Sequence, residues 1–231
     1  MNLALLILLA ATPAQQSWQF QTNGTPEVEV SNVNGSIRVE ATDSQTVSVE
    51  VSQEGSEEER ARFPVEVRQE GNDVVAQLCC GSCGDKGQGK SCKNPVPTHF
   101  VLKVPRKAAL DVSAVNAAVT LTGVAGDQEV ASVNGRVEVT GSQGEVEVSA
   151  VGADVVLTPA TLDSIEVSTV AGNVKLQLPA GADATVEYST VGGSFNGGKS
   201  KLGSSEKRYG SGKHSVEVST VSGSLDVQEA R

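Results

Sequence analysis

The chain has 231 residues, a formal net charge of -10 at pH 7, 3% aromatic residues, one Met and one Trp, and its commonest apolar residue is Val. Phosphate recognition draws on Lys and Arg, so an acidic balance of this size argues against nucleic acid as a partner. Valine loses rotamer freedom in a helix and suits a pleated surface, which points to an all-β chain.

The chain opens MNLALLILLAATPAQQ, an apolar run from Leu3 to Ala11 followed by Thr12 and Ala14 at the small-residue positions of a cleavage before Gln15. That layout predicts a signal peptide over 1–14 and a mature domain over 15–231. The run is too short to span a bilayer, no later stretch is long enough, and no Cys follows the leader to carry a lipid. The expected location is outside the cytoplasm: periplasmic, cell-surface or secreted.

A first strand phrase, VEVSNVNGSIRV, begins at 28, and the chain from 40 to 109 is less regular. Strand-like segments are expected over 46–51, 63–68, 74–78 and 100–104, separated by the charged run EGSEEERAR and a cysteine-rich loop. Residues 15–109 are read as the irregular capping end of one domain. The loop CCGSCGDKGQGKSC gathers Cys79, Cys80, Cys83 and Cys92 into one short stretch, with His99 close in sequence. Four cysteines in an exported chain predict two disulfides, their pairing open among three, the one joining the adjacent Cys79 and Cys80 being strained. Zinc is the alternative, because Cys80 and Cys83 have ligand spacing but lack a matching second pair. A redox role needs a helix amino terminus beside the thiols, and the Gly and Ser flanks predict a loop. No metal and no cofactor are assigned.

From 110 to 229 the phrase recurs as LDVSAVNAAVTL from 110, QEVASVNGRVEV from 128, VEVSAVGADVVL from 146, IEVSTVAGNVKL from 165, VEYSTVGGSFNG from 186 and VEVSTVSGSLDV from 216. This near-constant period predicts a β-helix, or β-solenoid, with coils of about 18 to 21 residues and right-handed winding preferred. In VEVSAVGADVVL the inward parity changes, which is read as a corner at Ser149-Ala150 with Val151 inward. Gly35, Gly135, Gly172, Gly193 and Gly223 share one position with Ala117 and Ala153, read as a cramped interior site. Ser31, Ser113, Ser149, Ser168, Ser189 and Ser219 form a corner ladder able to hydrogen-bond along the stack. The segment GGKSKLGSSEKRYGSGKH is a loop excursion that accounts for the longest spacing, between the last two phrases.

The segment FVLKVPRKAALDVSAVNAAVTLTGVAG, with Val104-Pro105 ahead of the first regular rung and SxVxG phrases after it, resembles a bacterial envelope family of unknown function whose members are labelled candidate adhesins. The resemblance covers about residues 28 to 229 and implies a β-solenoid fold, an exported location and no catalytic residue. The cysteine loop departs from the family pattern.

Function is therefore read as non-enzymatic: an adhesin-like or structural envelope protein that meets another surface protein or glycan. A β-helix glycan-active enzyme is one alternative, favoured if Asp, Arg or Lys cluster on three adjacent coils. A metal-binding or redox-responsive protein working through the cysteine loop is the other. The outward acids fall one per coil, and the two His, His99 and His214, lie far apart in no nucleophile motif. Two surface sites remain. Glu129, Glu147 and Glu166, continued by Asp111, Glu187 and Glu217, would stack as a column able to hold Ca²⁺ weakly. Lys199, Lys201, Lys207, Arg208 and Lys213 would make a basic loop suited to a polyanion.

Overall fold

The computed structural model describes residues 14–83 and 92–230, so the expected signal peptide lies, but for Ala14, outside the described residues. In chain order the elements are β1 (Ala14–Gln21), β2 (Glu27–Thr42), β3 (Thr46–Gln53), α1 (Glu57–Ala61), β4 (Val65–Glu70), β5 (Asp73–Leu78), β6 (Thr98–Pro105), β7 (Ala109–Thr122), β8 (Gln128–Thr140), β9 (Val146–Thr158), β10 (Ile165–Ala171), β11 (Val174–Leu178), β12 (Ala184–Phe195), β13 (Gly198–Tyr209), β14 (His214–Ser222) and β15 (Ser224–Glu229). The described residues are all-β apart from α1. There the run EGSEEERAR, expected only to separate strands, forms a short helix: Ser56 caps it and Glu59 closes the capping box. The hydrogen bonds from Ser56, its backbone N–H first, hold the Glu59 carboxyl below the usual carboxylate range.

Alternating valines make these strands two-sided. In β9, Val146, Val148 and Ala150 are buried, Val151 and Gly152 both face out, and Ala153, Val155 and Leu157 are buried again. The corner therefore sits at Val151-Gly152, two residues later than the valine pattern suggested, and Val151 is 50% exposed, not interior. The reason is the small Ala150, which holds the inward parity of the first leg although it is no valine. β2, β7, β8 and β9 run unbroken through the corner, and β10/β11 and β14/β15 follow the same path with a break at it.

Each leg pairs in parallel, in register, with the leg of the next repeat. One interior column runs Val30, Val112, Val130, Val148, Val167, Val218, Tyr188. All seven are buried, and a buried valine stabilises by roughly 1.5–3 kcal/mol relative to an exposed one. Tyr188 ends the column and donates its hydroxyl to the Gly223 carbonyl at 3.0 Å.

The stack does not follow chain order throughout. β14 pairs β10 on one side and β12 on the other, and β15 lies between β11 and the end of β12, so the last repeat inserts ahead of the one before it. The segment expected as a loop excursion makes this possible: it is strand β13, which folds back antiparallel on β12 as a hairpin at the end of the stack. With this insertion, β9, β10, β14, β12, β15 and β11 close a ring of parallel pairings. β13 carries Lys and Gly along the terminal edge, residues that discourage pairing with a further strand. At the other end β5 and then antiparallel β4 cover the first leg of β2, while β6, β3 and β1 cover the second.

The repeated glycine is constrained by its neighbour's backbone. A Cβ on Gly172 would overlap the Ala153 carbonyl, one on Gly223 the Gly172 carbonyl, and one on Gly135 the Ala117 carbonyl. Ala117 and Ala153 occupy the same position fully buried. Gly35 and Gly135 have an additional reason, φ of 118° and 125°, which side-chain-bearing residues rarely adopt.

Candidate functional site: surface columns and a corner groove

Because pairing is parallel and in register, one outward residue type per repeat becomes a continuous column. The acids expected to stack do share one register position: Asp111 faces Glu129, Glu129 faces Glu147, and Glu147 faces Glu166. Glu166 then meets Glu217, with Glu187 beyond it, the order set by the inserted β14. The column is longer than the repeat phrase indicated. Glu29 precedes Asp111 and Glu206 of β13 follows Glu187, giving eight carboxylates, of which only Asp111 is half-buried. Neighbouring rungs lie about 4.8 Å apart, where two charges repel by about 1 kcal/mol even in bulk water.

Two residues on and on the same face is the serine column, in which Ser149 faces Ser168, Ser168 faces Ser219 and Ser219 faces Ser189. Two further on, at the corner, stand the valines. Val115, Val133, Val151, Val170, Val191 and Val221 are 38% to 58% exposed. Between the serine and valine columns runs a groove of about 900 Å³. Its floor is the buried small residue of each rung, such as Ala114, Ala150 and Thr169, and no charged residue lines it. The outward valines that define this groove were read as interior from the sequence. The missed signal was their adjacency to a second outward residue, Gly152 in β9.

The other leg carries a smaller polar dish of about 270 Å³ with Arg136, Asp154, Lys175 and Asp226 on successive rungs β8, β9, β11 and β15. This is the mixed cluster that would favour a glycan-active enzyme. Asp154 accepts hydrogen bonds from the Asn173 backbone N–H at 2.9 Å and from its side chain at 3.2 Å, while Lys175 stands beside Asp226 by register. Two rungs separate Asp154 on β9 from Asp226 on β15, with β11 between them.

At the irregular end the sulfurs pair as Cys79–Cys83 and Cys80–Cys92, each with Cα atoms 5.2 Å apart. Neither is the adjacent pairing. Among the described residues the group able to gather round a metal is Glu66, Cys79 and Cys83, and its two sulfurs are bonded to each other. His99 does not join it: its ring nitrogens face Ser36 Oγ at 2.9 Å and Glu54 Oε1 at 3.3 Å. His214 lies on β14 opposite Ala184.

Four of the five basic residues, Lys199, Lys201, Lys207 and Arg208, lie on strand β13, not a loop. The side chains of Lys199 and Lys201 fall outside the described residues. Lys207 sits over the Tyr209 ring at 4.6 Å, and Arg208 reaches Glu206 at 3.9 Å, so these charges face opposite sides of β13. Lys213 belongs to the turn into β14, where its N–H donates to Asp183 at 3.1 Å and Ser211 donates to the same carboxylate. These bonds, the Lys213 backbone first, hold the Asp183 carboxyl below the usual range. The described residues thus form no single basic cluster.

No helix among the described residues is long and apolar enough to cross a membrane. Curated proteins yield no match to the chain. Solved structures that it resembles include a candidate cell adhesion protein from Clostridium sporogenes, with TM-score 0.49 and 13% identity over 95% of this chain and 100% of that one. A candidate adhesin from Bacteroides fragilis gives 0.41 and 11% over 94% and 97%. A candidate lipid-binding protein from Parabacteroides distasonis gives 0.37 and 11% over the same shares. The family described as Toastrack DUF4097 matches residues 107–228, more than half of the sequence, and the chain belongs to that family.

Proposed function

We propose that this chain is an exported, non-enzymatic β-solenoid that holds another envelope or surface component against its long first leg, in an adhesin-like or structural role. On this reading residues 1–14 are removed on export and residues 15–231 form one domain, irregular and disulfide-bearing over 15–109 and coiled over 110–229. Coils of about 18 to 21 residues wind right-handed. The observation that supports it most is the acid, serine and valine columns, which repeat like chemistry from rung to rung, with Ala131 alone standing in for a serine. Catalysis needs unlike groups converging on one point, whereas repeated like groups offer an extended surface. The test has two parts. The amino terminus of protein recovered from outside the cytoplasm should begin at Gln15. The immobilised mature chain should retain a saturable component of envelope extract, and lose it when Val151, Val170 and Val221 are changed to Ser. A component retained equally by that variant would move the contact elsewhere, and no saturable component at all would end the reading.

The polar dish gives a glycan-active enzyme as second reading. Asp154→Asn and Asp226→Asn would each abolish release of reducing ends from an acidic polysaccharide if that reading held. We expect no release from the unaltered chain.

A further inference from the structure

Resting on the proposed binding role, we infer that the corner groove takes a cationic amphipathic helix as long as the stack itself, its apolar stripe on the valines and its basic face toward the acid column. Each requirement comes from a separate feature of the groove.

The apolar requirement comes from the valines, exposed on the six rungs β7, β8, β9, β10, β14 and β12, and from the absence of charge in the groove lining. A row of exposed methyls this long on an otherwise acidic surface marks a contact site. The basic requirement comes from the acid column, two positions beyond the serines on the same face. It supplies eight carboxylates in line, and the chain as a whole carries -10. That field repels a second copy of this chain and any anionic surface, and attracts a cation-bearing partner.

The helical requirement comes from the backbone. In-register parallel pairing uses the ladder N–H and C=O groups of both legs within the stack, so the groove offers an extended peptide no strand edge to pair with. A segment lying on valines must satisfy its own backbone, and a helix does so. The spacing agrees: rungs recur at about 4.8 Å, helical turns at about 5.4 Å. Seven rungs give about 29 Å of groove, the length of about 19 helical residues at roughly 1.5 Å each. Its Lys and Arg stems cross the serine column to reach Glu147, Glu166 and Glu217.

The test uses the mature chain and three fluorescein-labelled synthetic peptides, each long enough to fill the groove. The first is a Leu/Lys peptide with Leu at i, i+3, i+4 and i+7. The second has the same composition shuffled to remove the stripe, and the third has Glu in place of Lys. Fluorescence anisotropy should show saturable binding of the first alone, with the other two at least about tenfold weaker. Val151→Ser with Val170→Ser and Val221→Ser should weaken it about tenfold. Glu147→Gln with Glu166→Gln and Glu217→Gln should flatten its salt dependence. Melting points of both variants should stay within about 2 °C of the unaltered chain. Equal binding of the shuffled peptide makes the contact mere charge attraction and overturns the helix. Equal binding of the Glu peptide overturns the cationic partner. Binding unchanged by the valine triple variant overturns the groove. No binding of any peptide, while envelope extract still yields a groove-dependent component, overturns this inference and leaves the proposed role standing. Loss of both overturns the two together.

Discussion

Gly172→Val isolates the packing of the corner from its backbone conformation. Gly172 does not have the left-handed φ of Gly135, so a side chain there meets only sterics. Its Cβ would overlap the carbonyl of Ala153 on one neighbouring rung, and its own carbonyl is where a Cβ on Gly223 would collide on the other. Backbone cannot swing aside as a long side chain does, so two ladders must part. Overpacking of a well-filled interior costs about 1–3 kcal/mol, and backbone contact on one rung with a further rung stacked behind it places this site at the upper end. In a domain of this size about 3 kcal/mol lowers the melting point by roughly 6–12 °C. Ser168→Ala, on the same rung but exposed, changes stability by no more than about 0.5 kcal/mol, or roughly 1–2 °C. Thermal melts followed by circular dichroism compare the two. Equal shifts, or a shift under about 2 °C for Gly172→Val, would refute the backbone-contact explanation of the repeated glycine.

Four more outcomes are expected. Intact mass after alkylation without reductant should show no modified cysteine, and reduction should expose four thiols while removing up to ~3 kcal/mol of loop-closure stabilisation. Asp183 is held below the ordinary carboxylate range, so it stabilises the turn to β14 above about pH 4 and loses that effect as pH falls through its folded value. Measured against the intrinsic exchange rate at each pH, protection of the Lys213 amide should therefore fall in acid, and Asp183→Asn should show the lower protection already at pH 6 and lose no more below it. Millimolar calcium should raise the melting point beyond matched sodium chloride, with Glu147→Gln and Glu166→Gln together reducing the rise. Deleting residues 210–231 removes the strands that lie between β10/β11 and β12. Amides of β12 and β13 should then lose protection together while β7 to β9 keep theirs, whereas a stack in strict chain order would shed only its last rung.

Much of the architecture was legible because valine recurs with a strand's period of two inside a repeat of near-constant length. β3, β4, β5 and β6 fall close to the segments expected from their β-branched and aromatic runs. The acid column was legible for the same reason, since equal positions in parallel repeats must stack. The corner was not. At Val151 the valine marks an outward position and Ala150 an inward one, so hydrophobicity alone assigns the two in reverse. Only the crowding of each rung against the next, which no single repeat contains, makes the small residue the interior one.

The position of β13 was hidden by composition. GKSKLGSSEKRY has the Gly, Ser and Lys of a solvated loop, and its strand conformation comes from pairing with β12. An edge strand tolerates such a sequence because one side of its ladder and one face stay in water, and its charge resists a further strand. The hairpin also fixes where the last repeat goes. Once β12 has turned back into β13, its β13 side is occupied, and β14 is left the open side between β12 and β10. The insertion therefore follows from which edge the hairpin covers. It also places Glu217, the later residue in the chain, ahead of Glu187 in the column, and carries the column on to Glu206. A sequence that reads as an interruption of the repeat is thus what completes the acid column and closes the end of the stack.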